Sequence, residues 1–390
     1  MSAPVPQPTW AVPLSETTLG EQEALAAADV VRSGWLTQGE RVGAFERAFA
    51  QLVGVPHAVA VANCTLGLEL AYDAVGVRAG DEVIVPALTF VATANAARRL
   101  GATPVFADVK SADDLTLDPD DVARKVTART RAICPVHYGG YAADMDALRE
   151  VAGRTRIAVI EDCAHAPGAT YRDTPCGALG DIGAFSFFSN KNMTTGEGGM
   201  LTTRSDELAA RVRLLRSHGM TSTTWDRHRG HAFTYDVTAV GTNARLDEIR
   251  AAIGLVQLGR LARGNAVRAA RVAEYRARLA DVPGVTLPFA ARDPQHGAHH
   301  LFVVLLPPGT ERAHVMTVLR ERGIQSSIHY PPTHRFSAYE SIPAALPVTD
   351  AVTARILTLP LFSTMTTEQV DLVCAALKDA LARPGTATPS

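Results

Sequence analysis

The segment RIAVIEDCAHAPGA, residues 156–169, decides the fold of this chain and locates its chemistry. Its first half is a run of apolar and β-branched residues, which is typical of a strand buried on both faces. The run ends with Glu161 and Asp162, so a carboxylate follows directly on a buried strand. Similar short apolar runs recur at 57–62, 81–87, 103–109, 131–136, 183–188 and 199–204.

Longer stretches with helical spacing lie between these runs, at 21–33, 43–53, 65–76, 89–100, 119–127 and 144–153. Buried strands that alternate with helices predict an α/β fold with a mostly parallel central sheet flanked by helices. After residue 205 helical stretches dominate, including 245–260 and 264–282, and strand-like runs occur at 301–306 and 326–330. We therefore expect a large α/β domain at 14–254 and a smaller C-terminal α+β domain at 255–385.

The composition excludes several classes of function. The 390 residues include 38 basic and 40 acidic ones, so the net charge is −2 and nothing favours a nucleic acid or an anionic membrane. Five cysteines are scattered without CxxC pairs, which argues against a disulfide framework or a structural zinc site. The sequence lacks a signal peptide pattern and a membrane-spanning apolar run, so we expect a cytoplasmic protein.

Two ionisable residues are the first candidates for chemistry, because ligands of parallel sheets gather at the carboxyl ends of the strands. Asp162 either pairs with a cationic ligand atom, such as a pyridinium nitrogen, or caps a following helix. Lys191 is one of only four lysines and lies between a buried aromatic strand and a glycine-rich turn. A desolvated amine there has a lowered pKa and suits a Schiff base with an aldehyde.

Two further strand ends carry weaker signals. The segment VANCTLGLELAYDA passes from a strand into a helix at Thr65, where a hydroxyl and free backbone N–H groups suit a phosphate. Phe90 follows another strand, and its ring either stacks on a planar ligand or packs into the core.

The ordered series of motifs resembles one known family. The motifs are GWLTQGERVGAFERAFA, VANCTLGLEL, DEVIVPALTFVATANA, PVHYGGYAADMDAL, VIEDCAHAPGA, FSFFSNKNMTTGEGGM, RSHGMTSTTWDRHRGHAFTYDV, GTNARLDEIRAAIGLVQL and SIHYPPTH. In this order, from about residue 14 to 380, they resemble the DegT/StrS sugar aminotransferases, which are fold-type I enzymes. The resemblance implies that pyridoxal 5′-phosphate (PLP) is the cofactor.

The resemblance also implies roles for individual residues. Lys191 matches the lysine that binds PLP as a Schiff base, and Asp162 matches the carboxylate that keeps the pyridine nitrogen protonated. The remaining matches are His165 near the phenolic oxygen, Thr65, the backbone at Leu66 and Ser186 around the phosphate, Phe90 on the ring, Asn243 reaching a neighbouring subunit's phosphate, and His329 and Tyr330 near the substrate. A homodimer with shared active sites follows from the role of Asn243.

Two motifs depart from the family pattern. Asn63-Cys64-Thr65 stands where the family usually has Ser-Gly-Thr, so a side chain enters the loop near the phosphate. Thr242 replaces the aromatic residue of the usual Gly-Tyr-Asn, which affects the packing on the substrate side.

The function implied by the resemblance is transfer of an amino group from an amino acid, expected to be L-glutamate, to a keto-sugar. The sugar is expected to be nucleotide-linked, for an antibiotic or a surface glycan. A keto-cyclitol acceptor remains open. A PLP-dependent sugar dehydratase is disfavoured by Lys191, because those enzymes carry histidine there. A non-catalytic regulatory relative is disfavoured by the joint presence of Lys191, Asp162, Thr65 and Ser186.

A histidine cluster, HGAHH, stands apart from these motifs. His296, His299 and His300 have no acidic residue next to them in the sequence. We therefore expect a solvated loop ahead of the strand at 301 rather than a zinc site, and no metal in the active site.

Overall fold

The computed structural model describes residues 10–154, 157–222, 225, 230 and 234–382. Its strands are β1 His57–Val61, β2 Glu82–Pro86, β3 Thr103–Ala107, β4 Thr130–Ile133, β5 Ala158–Asp162, β6 Thr170–Tyr171, β7 Thr174–Pro175, β8 Ile182–Ser186, β9 Gly199–Thr203, β10 Phe302–Leu305 and β11 Ile356–Leu359. Seven of them form the central sheet in the order β1–β9–β8–β5–β4–β2–β3.

The helices surround this sheet and build the C-terminal part. They are α1 Glu21–Ser33, α2 Glu40–Val53, α3 Cys64–Ala74, α4 Ala92–Arg99, α5 Pro119–Lys125, α6 Met145–Gly153, α7 Asp206–Arg216, α8 Glu248–Leu279, α9 Arg312–Glu321, α10 Pro347–Arg355 and α11 Thr367–Ala382. Among the helices that the structure describes, none has the length and apolar character that crossing a bilayer requires.

Strand direction places the predicted site residues at one edge of the sheet. Strand β9 is antiparallel to both neighbours, β1 and β8, and the other pairs in the sheet are parallel. The prediction of a mostly parallel sheet is therefore confirmed. Because β5 and β8 are parallel neighbours, their last residues, Asp162 and Ser186, lie at the same edge. Strand β1 also ends at this edge and leads into α3.

Three predicted elements differ from the structure. The stretches 245–260 and 264–282 form one continuous helix, α8, because packing on both sides overrides the helix-weakening effect of Gly259 and Gly264. The predicted strand at 326–330 is reduced to a single bridge between Ser327 and Thr358. Helix α10 and strand β11 were not predicted from the sequence, and β11 pairs with β10.

Helix α8 contributes to two hydrophobic clusters. Its N-terminal half places Ala251 and Leu261 against α2 and β8, and its C-terminal half places Val272, Tyr275 and Leu279 against the β10–β11 sheet. The predicted boundary at residue 255 falls within this helix. The division into two domains stays a prediction, and residues 383–385 of the second one lie outside the described part of the chain.

Glu248, the first residue of α8, caps the N-terminus of α2. Its carboxylate accepts hydrogen bonds from the N–H groups of Gly39 at 3.0 Å, Arg41 at 2.8 Å and Val42 at 2.8 Å. Gly39 has no side chain that could cap the helix, and a Cβ there would lie 3.2 Å from the Glu248 carboxyl carbon. The carboxylate of a residue about two hundred positions away therefore accepts the free N–H groups at the start of α2.

We expect the Glu248→Gln variant to lose about 1–3 kcal/mol of unfolding free energy, because one amide oxygen cannot replace two charged acceptors. The matched control is Glu40→Gln, which removes an exposed carboxylate from the same helix end and should cost less than about 1 kcal/mol. Urea denaturation of both variants measures the difference. Equal losses in the two variants would show that Glu248 does not act as the cap.

Candidate active site

A cavity of about 650 Å³ opens at the carboxyl edge of the sheet. Nine of the ten predicted site residues line it: Thr65, Leu66, Phe90, Asp162, His165, Ser186, Lys191, His329 and Tyr330. The tenth, Asn243, is exposed and forms a bridge with Ser217 outside this cavity. The single chain therefore brings together every predicted residue except the one assigned to a neighbouring subunit.

Asp162 is buried at the end of β5, and the segment after it is a turn. Its Oδ1 accepts the N–H of Ala164 at 3.1 Å, and residues 163–169 form no helix. The interpretation of Asp162 as a helix cap is therefore wrong, because the chain turns back at once into the β6–β7 hairpin. Asp162 lies in the cavity wall, so the other interpretation, that it pairs with a cationic ligand atom, is the one that remains.

A chain of threonine hydroxyls holds the other oxygen of Asp162. The Thr93 hydroxyl donates to Oδ2 at 2.7 Å, and the Thr89 and Thr93 oxygens are 3.1 Å apart. The Thr333 hydroxyl in turn donates to the Thr89 carbonyl at 3.1 Å. Sequence reasoning missed Thr93, although it lies in the quoted DEVIVPALTFVATANA motif, as the second residue of α4.

The Asp162 carboxylate has no counter-ion among the described residues. No Lys, Arg or His nitrogen of that part of the chain lies within 4 Å of it. Burial raises the pKa of Asp162, while the hydrogen bonds from Thr93 and Ala164 and the charge of Lys191 lower it. An ionised carboxylate that is buried and unpaired is costly, so the protonated ring nitrogen of PLP fits this position.

Lys191 is half-buried in the wall of the same cavity. Burial lowers the pKa of its amine from 10.5 to about 8, although the nearby Asp162 and Cys64 act to raise it. A larger share of this amine is therefore unprotonated near neutral pH than in an ordinary lysine. A lysine that readily exists as the free base can attack a carbonyl and can also return a proton, which fits the predicted Schiff-base chemistry.

The N-terminus of α3 offers free backbone donors to the cavity. Asn63 caps the helix, since its side-chain oxygen accepts the Leu66 N–H at 2.9 Å. The N–H groups of Cys64 and Thr65 have no hydrogen-bond partner in the described chain. The N–H groups of residues 64 and 65 are thus available to a phosphate, and a phosphate contact of the Leu66 backbone stays a prediction.

Close packing shapes this helix end. A Cβ on Gly199 would lie 2.8 Å from the Asn63 carbonyl carbon and 2.9 Å from the Cys64 nitrogen. Only glycine lets β9 approach the start of α3 so closely. The Cys64 side chain that replaces the family's glycine is itself buried and packs against the core behind the cavity.

His165 and Tyr330 form a hydrogen-bonded pair in the cavity wall. The Gly139 N–H donates to His165 Nδ1 at 3.3 Å, so the ring proton lies on Nε2, which donates to the Tyr330 hydroxyl at 3.0 Å. Burial and the charge of Lys191 hold the pKa of His165 well below its usual range. The Tyr330 hydroxyl keeps its own proton to donate to a bound group.

Phe90 lies at the rim of the cavity with 56% of its surface exposed. Its ring centroid is 5.9 Å from that of Tyr330. This exposure excludes the interpretation of Phe90 as a core residue. Stacking of Phe90 on a cofactor ring stays a prediction.

The expectation of a solvated histidine loop is wrong for two of its three members. His299 and His300 are buried, because residues 298–300 are hydrogen-bonded to the Gly139–Gly140 turn. The His300 ring packs against that of His165 at a centroid distance of 4.4 Å with the ring planes tilted by 39°. Its Nδ1 lies 3.0 Å from the side-chain oxygen of Asn192, the neighbour of Lys191.

The three histidines have different partners. His296 contacts Thr170, and His299 contacts Tyr141 and the Pro294 carbonyl. They therefore do not converge on a common point that a metal ion could occupy.

Glu161, the neighbour of Asp162, supports the site from below the sheet edge. Its two oxygens accept hydrogen bonds from His137 and from the N–H groups of Gly177, Leu179 and Gly180. His137 and Cys163 lie close enough to Glu161 to form a metal-ligand group. However, each carboxylate oxygen is already engaged twice, so Glu161 holds the turn at 177–180 in place.

Comparison with known proteins agrees with this geometry. The family model described as the DegT/DnrJ/EryC1/StrS aminotransferase family matches residues 17–378. The spore coat polysaccharide biosynthesis protein SpsC of Bacillus subtilis is 40% identical over 377 residues, which cover 94% of this chain and 96% of SpsC.

Two solved structures are similar over almost the whole chain. The putative sugar aminotransferase Spr1654 from Streptococcus pneumoniae, in its pyridoxamine phosphate (PMP) form, has a TM-score of 0.89 at 29% identity and covers 95% of this chain and 99% of its own. DesI, solved in the presence of its TDP-sugar product, has a TM-score of 0.86 at 35% identity, with 97% and 94% coverage.

We expect Thr93→Val to destabilise the cofactor-free protein by about 1–3 kcal/mol at pH 8, because the ionised Asp162 loses a hydrogen bond. The folded pKa of Asp162 is raised by burial, so its ionisation penalty is present above that pKa and absent once the carboxyl is protonated. The loss in Thr93→Val should therefore shrink as the pH falls. Urea denaturation at several pH values measures it.

Two matched variants control this prediction. Thr93→Ser keeps the hydroxyl and should recover most of the stability. Thr353→Val removes a buried hydroxyl that bonds only to backbone oxygens, so its cost should not depend on pH. A pH-independent loss in Thr93→Val would contradict the proposed support of the Asp162 charge.

The lowered pKa of Lys191 predicts the pH dependence of PLP uptake by the cofactor-free protein. Only the free amine attacks the aldehyde, so the rate should rise about tenfold per pH unit below 8 and level off above it. Stopped-flow absorbance measures this rate, and Lys191→Ala is the control that should show no such phase. A rate still rising steeply above pH 9 would indicate an ordinary lysine.

Proposed function

Since the chain belongs to the DegT/DnrJ/EryC1/StrS aminotransferase family of PLP-dependent sugar aminotransferases, we propose that it moves an amino group from L-glutamate to a nucleotide-linked keto-sugar. One observation carries the proposal. The buried, unpaired carboxylate of Asp162 and the amine of Lys191 line the same cavity as the free N-terminus of α3. These are the three groups that a pyridine nitrogen, an aldehyde and a phosphate require.

The residues that would hold the cofactor follow from this geometry. Asp162 would pair with the ring nitrogen, and the N–H groups at residues 64 and 65, with the hydroxyls of Thr65 and Ser186, would bind the phosphate. Phe90 would cover one face of the ring. His165 would donate its Nε2–H to the phenolic oxygen in place of the Tyr330 hydroxyl, its partner in the cofactor-free chain.

The protein's own contribution to the chemistry is proton transfer and charge stabilisation. Bound PLP supplies an electron sink that makes the α-carbon of the donor acidic. With the cofactor bound, the free amine of Lys191 would take the proton from the donor's α-carbon and pass it to the cofactor. In the second half-reaction it would carry a proton from the cofactor to the acceptor carbon. Asp162 would keep its partner nitrogen protonated throughout, which stabilises the charge that develops on the bound group.

The choice of acceptor rests on the size of the cavity and on relatives. A cavity of about 650 Å³ holds more than the cofactor. DesI was solved with a TDP-sugar product, and SpsC takes part in spore coat polysaccharide biosynthesis. We therefore propose a nucleotide-linked sugar destined for a surface glycan or an antibiotic, made in the cytoplasm. If the protein does not aminate nucleotide-linked keto-sugars, a keto-cyclitol becomes the favoured acceptor.

We also propose a homodimer with shared active sites. Asn243 is exposed, and the segment before it presents Val237 and Val240 with 55% and 95% of their surface exposed. Exposed apolar side chains that lie close together in one segment suit an interface. A second copy seated on this segment would bring its Asn243 to the phosphate end of the cavity.

The test is a half-reaction with the PLP-loaded protein. We expect L-glutamate to convert the visible absorbance of bound PLP to that of PMP and to release 2-oxoglutarate. Addition of a TDP-linked keto-sugar should restore the PLP spectrum and give an amino-sugar product. Lys191→Ala should show neither change, because it lacks the proton-transferring amine.

Mixed variants test the shared sites in the same assay. Lys191→Ala and Asn243→Ala should each be impaired alone, and a re-associated mixture should regain about a quarter of the wild-type activity if each site uses both subunits. A wild-type protein that binds PLP but does not react with glutamate would reject the proposed donor. A protein that reacts with glutamate but with no TDP-linked keto-sugar would reject the proposed acceptor.

A further inference from the structure

A second cavity, of about 320 Å³, also has Lys191 in its wall. Its other walls are the N-terminal segment 16–18, one face of α8 and residues 363–364. Among the lining residues that the structure describes, Lys191 is shared with the larger cavity and the others are distinct. A molecule in this second cavity would therefore lie beside the reactive amine, outside the space assigned to the cofactor.

Three arginines of α8 line this space, which we name the arginine cavity. They are Arg260, Arg263 and Arg268, and the lining includes one carboxylate, that of Glu16. Glu16 is engaged by the Thr364 hydroxyl at 2.5 Å. With Lys191, the cavity wall thus carries an excess of positive charge in a protein whose net charge is −2.

Arg268 has no counter-ion in this position. It is 3% exposed, and its single hydrogen bond in the described chain runs from Nη1 to the Leu361 carbonyl at 2.9 Å. Its Nε has no partner. Burial lowers the pKa of this guanidinium from 12.5 to about 10. A buried cation that lacks an acid partner is stabilised when an anion binds next to it.

The other two arginines differ in their availability. Arg260 is already paired with Glu23 at 2.9 Å and Gln22 at 2.7 Å. Arg263 is exposed and makes no ion pair or side-chain hydrogen bond with the described residues. The Arg263 side chain is therefore available to bind an anion in the cavity. Arg268 lies on the buried side of the same cavity.

We propose that the arginine cavity binds the distal carboxylate of a dicarboxylic amino donor, whose amino end then lies at Lys191. This inference rests on the proposed function and adds to it the residues that select the donor. A planar guanidinium fork matches a carboxylate in two parallel hydrogen bonds. The cavity has about half the volume of the larger one, which favours a small acid over a nucleotide diphosphate.

The binding test uses PLP-loaded protein and glutarate, which has the carbon skeleton of glutamate but no amine and cannot react. Calorimetry should show glutarate binding that weakens about tenfold in Arg263→Gln, because one charge-assisted contact is lost. The matched control is Arg320→Gln, an exposed arginine on α9, which should bind as the wild type does. No binding of glutarate to the wild type, or equal binding to both variants, would overturn the inference.

A second arm separates the two possible anions. TDP should bind Arg263→Gln as tightly as the wild type, because its phosphates belong in the larger cavity. If Arg263→Gln weakens TDP and leaves glutarate unchanged, the arginine cavity takes the phosphates, and the assignment of the carboxylate is wrong.

Kinetics separate this inference from the proposed function. In Arg263→Gln, the glutamate concentration that gives half the maximal conversion should rise about tenfold, the limiting rate should stay within about twofold, and conversion by L-alanine should not change. Equal glutamate kinetics in both proteins would overturn the site and leave the function intact. Selective glutarate binding without any conversion by glutamate would overturn the donor and leave the site intact.

Discussion

The buried carboxylate of Asp162 is the interaction on which the rest of the site depends. The fold places a negative charge at the end of a central strand, holds both of its oxygens, and provides no cation within 4 Å from the described chain. Such a charge is tolerated only if its neighbours stabilise it or a ligand neutralises it. The hydroxyl of Thr93 and the N–H of Ala164 stabilise the charge of Asp162, and the family's cofactor neutralises it.

The surrounding architecture positions the other groups relative to this charge. Parallel pairing of β5 with β8 fixes Asp162 and Ser186 at one edge, and the turn after β8 carries Lys191 back over the same edge. Glycine at position 199 allows the start of α3 to approach. From the C-terminal part, Tyr330 and Thr333 complete the wall and the hydroxyl chain to Thr93. Precise positioning of a few polar groups thus depends on close packing between elements distant in sequence.

Much of this could be predicted from sequence because the signals are local. Apolar runs gave the sheet, and the placement of Asp162 and Lys191 at strand ends indicated their chemistry. The role of Thr93 and the burial of His300 could not be predicted, since each depends on contacts across the fold. The HGAHH segment was predicted to be solvent-exposed because the partners of His300, Asn192 and Gly139, lie more than one hundred residues away in the sequence. The long-range cap that Glu248 gives to α2 was hidden for the same reason.

The central claim is that Lys191, among the four lysines of the chain, is the residue that bonds covalently to PLP. Reduction of the PLP-loaded protein with borohydride, followed by proteolysis and mass spectrometry, tests this directly. The account predicts that the reduced cofactor is found on the peptide that contains Lys191 and on no other. A label on Lys110, Lys125 or Lys378, or no label at all, would contradict the account.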